Sequence, residues 1–567
     1  MSPRTRRRWL AALAVTVLVA TACSDSDGDA AAPAPADDGA SSATTATGTA
    51  VDADIEVLAA EAAPLTADLR VRADVPVVAV VTVDGPTGSL ALPEPEPATE
   101  HRIPVMGLRA DAEHTITVEL RDVDGTPVAG PTEHAFVTDP LPDEMPPIAT
   151  MVSEPDRMAA GYTLFNLLDI GEILGIDDGV EPTEAPWFGW LVIVDDAGEV
   201  VWYHRAPHPI GDVRVLDDGT ILHEYNDTGA RHINVFGEVL DEWAGELIRT
   251  DFRLDGFGRQ VAGDDAVPVA TDSMHHHVDL LPNGNLLTLS SELRAVDGFD
   301  APLCGEDPAD FDGTYHLIGD VIVEFEPDGD LVREWSLFDH FPLPEDGALR
   351  NVCGIPNPGV FPNWMYQPRE PRARDWTHAN AVELDAERNA LIVSIRHLDA
   401  IVALRYEDDA DGPAGEMLWE IGPNGTFALV DGDWSYHQHA PEVGDDGSIL
   451  VYDNGNGRPN GELYSRAVLY DVDDDAGTVT QLWEHVSLQD GEPAFAAFVG
   501  DADRLPNGNV LVTDGGLFGA VDDVSAQIVE VVPADDPADN EIVFELRVTG
   551  GQHWAIYRAD RLADLPG

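Results

Sequence analysis

The chain repeats one short pattern that limits its fold: an apolar run enters an acidic or Asn-Gly turn, and a second apolar run leaves it. Six such turns are Asp195–Gly198, Leu216–Gly219, Leu281–Asn285, Glu326–Gly329, Asp445–Gly447 and Leu505–Asn509. Tryptophans recur late in the same units, at Trp202, Trp335, Trp419 and Trp483. Short strands joined by hairpin turns, without helical periodicity, are typical of an all-β propeller. We predict a propeller over residues 146–567, with six blades of about 70 residues or, alternatively, seven.

A smaller module is predicted before the propeller, at residues 54–140. Ile116, Val118 and Leu120 alternate with polar residues, and an Asp124-Gly125 turn follows. This period of two predicts strands with one buried face, and the length suits a β-sandwich. The module contains no cluster of reactive side chains, which favours a role as a spacer or a dimerisation domain.

The first residues predict export. Arg4–Arg8 is followed by the apolar Trp9–Val19, which is shorter than the roughly 20 residues of a membrane span and is typical of a signal peptide, residues 1–22. Cys23 follows small residues, as in a bacterial lipoprotein, so we predict a lipid anchor at the outer face of the cell membrane. The alternative is a plain cleaved signal and a periplasmic or secreted protein. Residues 24–53 lack aromatic side chains and predict a disordered linker.

Charge and composition exclude several functions. The net charge is −74, from 105 acidic and 31 basic residues, and the chain has no lysine. Such an acidic surface repels nucleic acid and leaves the lipid anchor as the only predicted membrane contact. The absence of lysine excludes Schiff-base catalysis, a phosphate-loop lysine and a Ser–Lys dyad.

The cysteines predict one structural bridge. With Cys23 carrying lipid, Cys304 and Cys353 remain as a pair in an oxidising compartment. A disulfide closing that loop would contribute about 4 kcal/mol in the chain-entropy model. The alternative is two buried thiols.

Histidines are concentrated in three distant segments. The segments are Met274–His277, Asp375–Asn380 with Arg396-His397 downstream, and Trp434–His439. The innermost strand of every propeller blade lines a central channel, so residues at the same strand position in different blades meet near the axis. We therefore predict several imidazoles and Arg396 at one channel mouth.

At these residues the chain resembles the bacterial arylsulfotransferase family. The resemblance rests on His-His before Asp279–Asn285, on Asp375–Asn380 with Ser394–His397 downstream, on Gln438-His439, and on Tyr557–Arg561. It implies a six-bladed propeller that moves a sulfuryl group from an aryl sulfate ester to a phenol without a nucleotide donor, a cofactor or a metal. The family's transient sulfohistidine maps onto His439, its supporting histidines onto His276 and His378, and its arginine onto Arg396. A homodimer is compatible with the family.

The first motif departs from the family at His277, where relatives usually have aspartate. The match could therefore slip by one position, and whether His275 or His276 faces the channel stays open.

The residue types suit this chemistry. A guanidinium can clamp two sulfate oxygens, which suits Arg396, and nearby positive charge keeps His439 neutral and nucleophilic. His276 or His378 could protonate the departing phenoxide, and Asn380 could donate a hydrogen bond to a developing oxygen charge.

Other interpretations remain open. A metal-dependent propeller hydrolase could use histidines with Asp272, Asp279 or Asp375, and a non-catalytic propeller could bind protein or carbohydrate. Trp376 and Tyr436 could stack on an aryl substrate, although blade packing is favoured. By strand alternation, His397 and His437 are predicted to point away from the channel. His275 and His277 are predicted to lie behind the site or at the surface.

Overall fold

A computed structural model of the chain describes residues 51–170, 188–247, 251, 253, 260–304, 307–341, 362–366, 369–518, 524–549 and 553–567. The predicted signal peptide, Cys23 and nearly all of the linker lie outside these residues. Among the described residues, no helix has the length and apolar character needed to cross a membrane.

The N-terminal module consists of six strands arranged around one long strand. The strands are β1 (Ala53–Ala59), β2 (Ala67–Gly85), β3 (Gly88–Ala91), β4 (Ala98–Val105), β5 (Glu113–Arg121) and β6 (Pro127–Val137). The first part of β2 pairs with β1 and β4, and its last part pairs with β3 and β5. Ile116, Val118 and Leu120 of β5 are all fully buried, so the predicted alternation is confirmed.

Six further sheets of four or five strands follow among the described residues, and they form the blades of a propeller. Blade 1 contains β8 (Tyr162–Asp169), β9 (Gly189–Val194) and β10 (Val200–Ala206), with β36 (Trp554–Ala555) and β37 (Ala559–Leu562). Blade 2 contains β11 (Ile210–Val215), β12 (Ile221–Tyr225), β13 (Gly229–Ile233), β14 (Val239–Gly245) and β15 (Val267–Val269). Blade 3 contains β16 (His275–Leu280), β17 (Leu286–Asp297), β18 (Thr314–Phe325), β19 (Leu331–Ser336) and β20 (Ala373–Asp375).

The remaining blades repeat this arrangement. Blade 4 contains β21 (Ala379–Asp385), β22 (Ala390–Ile395), β23 (Ala400–Arg405) and β24 (Met417–Ile421). Blade 5 contains β25 (Ala428–Asp431), β26 (His439–Val443), β27 (Ile449–Asp453), β28 (Arg466–Asp473) and β29 (Thr478–Val486). Blade 6 contains β32 (Asp501–Arg504), β33 (Val510–Phe518), β34 (Val524–Val532), β35 (Glu541–Val548) and the early strand β7 (Ile148–Ser153). The six-bladed propeller predicted from the sequence is thus confirmed.

Short elements join the strands, both within blades and between blades 5 and 6. They are the hairpin of β30 (Leu488–Gln489) and β31 (Glu492–Pro493), the helices α1 (Leu337–His340) and α2 (Asn363–Tyr366), and 3-10 helices at Arg396–Leu398 and Pro537–Asp539. The helix at Arg396–Leu398 lies at the inner end of blade 4, where it directly follows β22.

Both ends of the propeller sequence close the ring. Strand β7 pairs with β35 at the outer edge of blade 6, and β36 and β37 pair with β8 in blade 1. Residues separated by almost the whole propeller are therefore hydrogen-bonded neighbours. The first strands of blades 2 to 6 contact one another in succession and form the inner wall of the channel.

The predicted turns occur where the sequence indicated. In each of the six, the glycine N–H donates to the carbonyl three residues earlier, as from Gly284 to Leu281 at 2.8 Å. The Asn283 side-chain oxygen accepts from the Asn285 N–H at 2.9 Å, which holds the chain in the turn. The recurring tryptophans lie on outer strands, where Trp202, Trp335 and Trp483 are buried between blades.

Cys304 packs at the edge of a hydrophobic cluster shared by blades 3 and 4. Cys353 lies outside the described residues, so the bridge between them stays a prediction.

The ring closure gives a stability prediction at Gly161. This residue has φ of +116°, and a Cβ there would overlap the carbonyl oxygen of Leu562 on the closing strand. Gly284, with φ of +88°, has open space where a Cβ would be added. Both alanine variants carry backbone strain, but only Gly161→Ala adds a collision, so it should lower the free energy of unfolding by about 2 kcal/mol more than Gly284→Ala. Denaturant titration of both variants measures the difference, and equal losses would contradict the tight closure.

Candidate active site

The histidine segments enter the channel at irregular strand starts. The pairing register breaks between His275 and Val278, between Ala379 and Ala381, and between His439 and Glu442. His276 and His378 have positive φ angles of 61° and 50°, a left-handed conformation that histidine adopts more readily than bulkier residues do. Bulges of this kind redirect a side chain and are common beside functional sites.

The three predicted histidines meet around His276. Its ring centroid lies 5.0 Å from that of His378 and 6.4 Å from that of His439. The three residues belong to blades 3, 4 and 5, and they span more than 160 positions of sequence. The propeller therefore brings together imidazoles that are remote in the chain.

Arg396 is the cation that sequence reasoning placed beside these rings. It begins the 3-10 helix after β22, is 6% exposed, and donates from Nη2 to the Ala497 carbonyl at 2.8 Å. Its Nε finds no hydrogen-bond partner among the described residues. Burial lowers its pKa to about 10, so it stays charged at neutral pH, and its charge lowers the pKa of His276, His378 and His439.

His439 is buried and neutral. Both ring nitrogens lack a hydrogen-bond partner of ordinary geometry among the described residues, although the backbone of Gly500 lies near. Burial holds the pKa of His439 well below its usual value, and the charges of Arg558 and Arg396 lower it further. A neutral imidazole with uncommitted nitrogens keeps a lone pair for nucleophilic attack.

His378 is held from behind by a carboxyl group. Its Nδ1 lies 2.5 Å from Oδ2 of Asp375, and Nδ1 of His397 lies 3.6 Å from the same oxygen. The ring centroids of His378 and His397 are 4.7 Å apart. The prediction that His397 points away from the site is wrong, because Arg396–Leu398 is a 3-10 helix in which strand alternation does not apply.

His437 lies one ring farther from the centre. Its ring is 5.8 Å from that of His397, and its Nδ1 lies 2.9 Å from Oδ1 of Asp399. It does not contact the three central histidines through any described ring pair.

The neighbouring histidines of blade 3 support the site. His275 Nδ1 lies 2.8 Å from His276 Nδ1, and its Nε2 lies 3.4 Å from Asp320. His276 is therefore the ring that meets the other blades, and His275 lies behind it. His277 is buried beside Arg214, whose Nη2 lies 3.3 Å from its Nδ1. Neither supporting ring lies at the surface.

Asn380 is fully buried and is bonded to the strand that carries His439. Its Nδ2 donates to the Gln438 carbonyl at 2.8 Å. The amide thus fixes the backbone immediately before His439. The predicted hydrogen bond from Asn380 to a substrate oxygen stays a prediction.

Two residues of the closing segment complete the cluster, and sequence reasoning gave them no role. The Tyr557 hydroxyl donates to the His276 carbonyl at 2.7 Å, and its ring lies 5.0 Å from that of His439. Arg558 is paired with Asp212 at 2.8 Å and Asp501 at 3.3 Å. The signal available was the Tyr557–Arg561 motif, but only the ring closure reveals its position.

The aromatic candidates serve packing where their contacts are described. Trp376 is 2% exposed and its ring lies 4.8 Å from that of Phe338, within the core between blades 3 and 4. Tyr436 is half-buried, and its backbone N–H donates to Asp453 at 2.9 Å.

The proposed metal ligands have other partners. Asp272 accepts from the Tyr366 hydroxyl at 2.8 Å, and Asp279 faces Arg214 at 3.9 Å. In the described part of the chain, one acid–histidine group has donor atoms within 4.8 Å of one another, namely Asp375, His378 and His397. Two ligands of a tetrahedral zinc lie about 3.4 Å apart, given bonds of about 2.1 Å. The 2.5 Å separation of Asp375 and His378 is instead that of a hydrogen bond.

The fold and the site together define a propeller protein whose channel mouth holds neutral imidazoles beside a buried guanidinium. Such a site suits the binding and transfer of an anionic group. The chain belongs to the arylsulfotransferase family: the family model described as Arylsulfotransferase (ASST) matches residues 151–558, and a second, Arylsulfotransferase Ig-like domain, matches residues 55–138.

Two curated relatives are both called arylsulfate sulfotransferase AssT. The protein of Escherichia coli O6:H1 is 28% identical over 276 residues, covering 41% of this chain and 44% of the relative. That of Lelliottia amnigena is 27% identical over 255 residues, covering 36% and 41%. The matched part thus spans less than half the length of these relatives.

Two solved structures are similar at low TM-scores. A protein of unknown function from Bacteroides caccae has 14% identity and a TM-score of 0.35, covering 70% of this chain and 98% of its own. The periplasmic gluconolactonase of Pseudomonas aeruginosa has 11% identity and a TM-score of 0.28, covering 70% and 99%.

Proposed function

We propose that this chain is an aryl-sulfate sulfotransferase that carries the sulfuryl group on His439. The observation that supports this most strongly is the state of His439: it is buried and neutral, and its ring nitrogens make no hydrogen bond of ordinary geometry among the described residues. It lies in a cluster with Arg396 and two further imidazoles. The donor is an aryl sulfate ester and the acceptor is a phenol.

In the donor step, a ring nitrogen of His439 attacks sulfur while the bond from sulfur to the phenolic oxygen breaks. The nitrogen–sulfur bond forms from the imidazole lone pair, and the electron pair of the broken bond leaves on the phenoxide. Because phenols have a pKa near 10, a proton supplied to the leaving oxygen accelerates this departure. We assign this role to His276 or His378, whose ring centroids are 5.0 Å apart.

Arg396 holds the sulfuryl oxygens. Its planar fork can donate two hydrogen bonds to one sulfate, and the buried setting strengthens them. Arg558 adds positive charge on the His439 side, although Asp212 and Asp501 already pair with it. We therefore assign oxyanion binding to Arg396 and long-range electrostatic support to Arg558.

The acceptor step reverses the donor step. A phenol enters after the first product leaves, its oxygen attacks the sulfur on His439, and its proton passes to the site. The reaction is a ping-pong cycle that needs only residues of this chain, two phenols and one sulfate group. It therefore suits an exported protein, which we place at the outer face of the cell membrane through Cys23, stabilised by a Cys304–Cys353 bridge.

A brief exposure to phenyl sulfate tests the proposal. We expect a labile mass increase of one sulfuryl group on the peptide that contains Gln438-His439, and its loss when a phenol acceptor is added. The matched control is His437→Asn, because this residue lies in the same peptide, binds Asp399 and should leave the adduct unchanged.

Other outcomes point to the competing functions. Release of free sulfate with loss of activity in a chelator, together with bound divalent metal, would indicate a hydrolase. The absence of an adduct and of turnover with several aryl sulfates would indicate a binding protein.

A further inference from the structure

The proposed transfer needs a proton for the departing phenoxide, but none of the three central imidazoles is protonated to the cation at neutral pH. Burial lowers the pKa of His276 and His439 well below the usual value and that of His378 to about 3. At neutral pH all three rings are therefore uncharged. A neutral ring can donate its single N–H, but it must recover a proton at its other nitrogen to avoid becoming an anion.

Asp375 is placed to supply that second proton. It ends β20, is 4% exposed, and its Oδ2 lies 2.5 Å from His378 Nδ1, on the side of the ring away from Nε2. Burial raises the pKa of this carboxyl to about 7, even though His397 and Arg396 oppose the rise. Near neutral pH the carboxyl is therefore protonated in a large fraction of molecules.

We propose that Asp375 and His378 form a proton relay that serves both halves of the transfer, with Asp375 acting as a proton reservoir through the His378 ring. This inference rests on the proposed function. Asp375 does not touch the reacting atoms and is a positioning residue, whereas His378 is the group that meets the phenol.

The relay balances in each half-reaction. As the donor leaves, the N–H at Nε2 of His378 passes to the phenoxide oxygen, and the O–H of Asp375 passes to Nδ1. The pair then consists of a carboxylate and the other neutral tautomer of the ring. When the acceptor phenol attacks, its O–H proton moves to Nε2 and the Nδ1 proton returns to Asp375. One proton is stored in the protein between the two steps, and none is exchanged with solvent.

The groups around the pair raise or lower the pKa of Asp375 and so stabilise or destabilise its carboxylate form. Asp320 of β18 raises this pKa and disfavours the carboxylate. Arg396 and His397 of the 3-10 helix and His275 of β16 lower it and favour the carboxylate. His437, from the loop before β26, acts on the His378 ring. Asp320 Oδ2 accepts from the Thr377 hydroxyl at 2.6 Å, so this second acid is held apart from the pair by its own hydrogen bonds.

The test compares Asp375→Asn with wild type on two donors. Asparagine preserves the shape of the contact but carries no transferable proton. The quantity compared is kcat/KM for the donor, which in a ping-pong cycle reports the donor half-reaction alone. With phenyl sulfate, whose phenoxide needs protonation, we expect the variant to lose about 100-fold in this constant. With p-nitrophenyl sulfate, whose leaving group is a weaker base, we expect a loss of no more than about 3-fold.

The pH profile gives a second readout. Because the protonated carboxyl is the active form, the wild-type rate with phenyl sulfate should fall as pH rises above about 7. Asp375→Asn should lack this falling limb. The matched control is Asp399→Asn, which alters a similar acid–histidine pair, Asp399 with His437, and should keep the wild-type dependence on donor and pH.

The outcomes separate the two proposals. An equal loss by Asp375→Asn on both donors, or no loss on either, would overturn the relay while wild-type transfer still supports the sulfotransferase. Failure of the wild-type protein to transfer from either donor would instead reject the proposed function. Thermal unfolding of the variant identifies a loss caused by misfolding, and in that case Asp375→Glu, which keeps a proton, should recover the phenyl sulfate reaction and the falling limb.

Discussion

Replacing His439 by asparagine should lower kcat/KM for aryl sulfate transfer by at least about 1000-fold, because the variant has no imidazole lone pair to accept the sulfuryl group. The asparagine side chain occupies similar space and leaves the hydrogen bond from Asn380 to the Gln438 carbonyl intact. The fold and substrate binding should therefore survive, and the loss should appear in kcat. Steady-state kinetics with phenyl sulfate and a phenol acceptor measures it.

The control for this variant lies two residues away. His437→Asn changes the same residue type in the same loop, and asparagine tolerates the left-handed backbone found there, where φ is 52°. We expect activity close to wild type. A fully active His439→Asn protein would remove the covalent intermediate from the mechanism.

The second large effect is expected at Arg396. Lysine keeps the charge but lacks the planar fork, so Arg396→Lys should lose about 100-fold in kcat/KM, and Arg396→Ala about 1000-fold. In the proposed mechanism the guanidinium binds the sulfuryl oxygens in the substrate and in the transition state, so both KM and kcat should change. In Arg396→Ala, the loss of the positive charge should also let the pKa of the nearby histidines rise.

A suitable control is Arg504→Lys. Arg504 lies on the inner strand β32 and bonds to the Ser448 carbonyl of blade 5 at 3.2 Å, so it tests the same substitution in the channel wall away from the histidines. Its kinetics should remain near wild type. Equal losses at both positions would indicate a general effect on the propeller and would argue against an oxyanion role for Arg396.

The propeller fold could be predicted from the sequence because the turn motifs that indicate it are local. An acidic or Asn-Gly turn marks the position where one strand ends and the next begins, and the turn forms through local backbone preferences without a tertiary contact. The positions of His276, His378, Arg396 and His439 followed from the same logic, since equivalent ends of inner strands converge on one axis.

The missed features depend on interactions that no local pattern encodes. Tyr557 and Arg558 reach the site because the final strands pair with the first blade, a contact between residues almost 400 positions apart. His397 was misplaced because the chain leaves β22 as a 3-10 helix. The pairing of Asp375 with His378 was not predicted, because the two residues are three positions apart outside any regular repeat and His378 itself has a left-handed backbone, with φ of 50°.

The final segment, from β36 to β37, makes formation of the histidine cluster depend on closure of the propeller. The Tyr557 hydroxyl donates to the His276 carbonyl, and Tyr557 lies between β36 and β37, which come last in sequence and pair with β8 of blade 1. A chain that has not yet been synthesised to its final strands has blades 3 to 5 but lacks this hydrogen bond. We therefore expect the histidine cluster to be completed only when the final strands pair with blade 1.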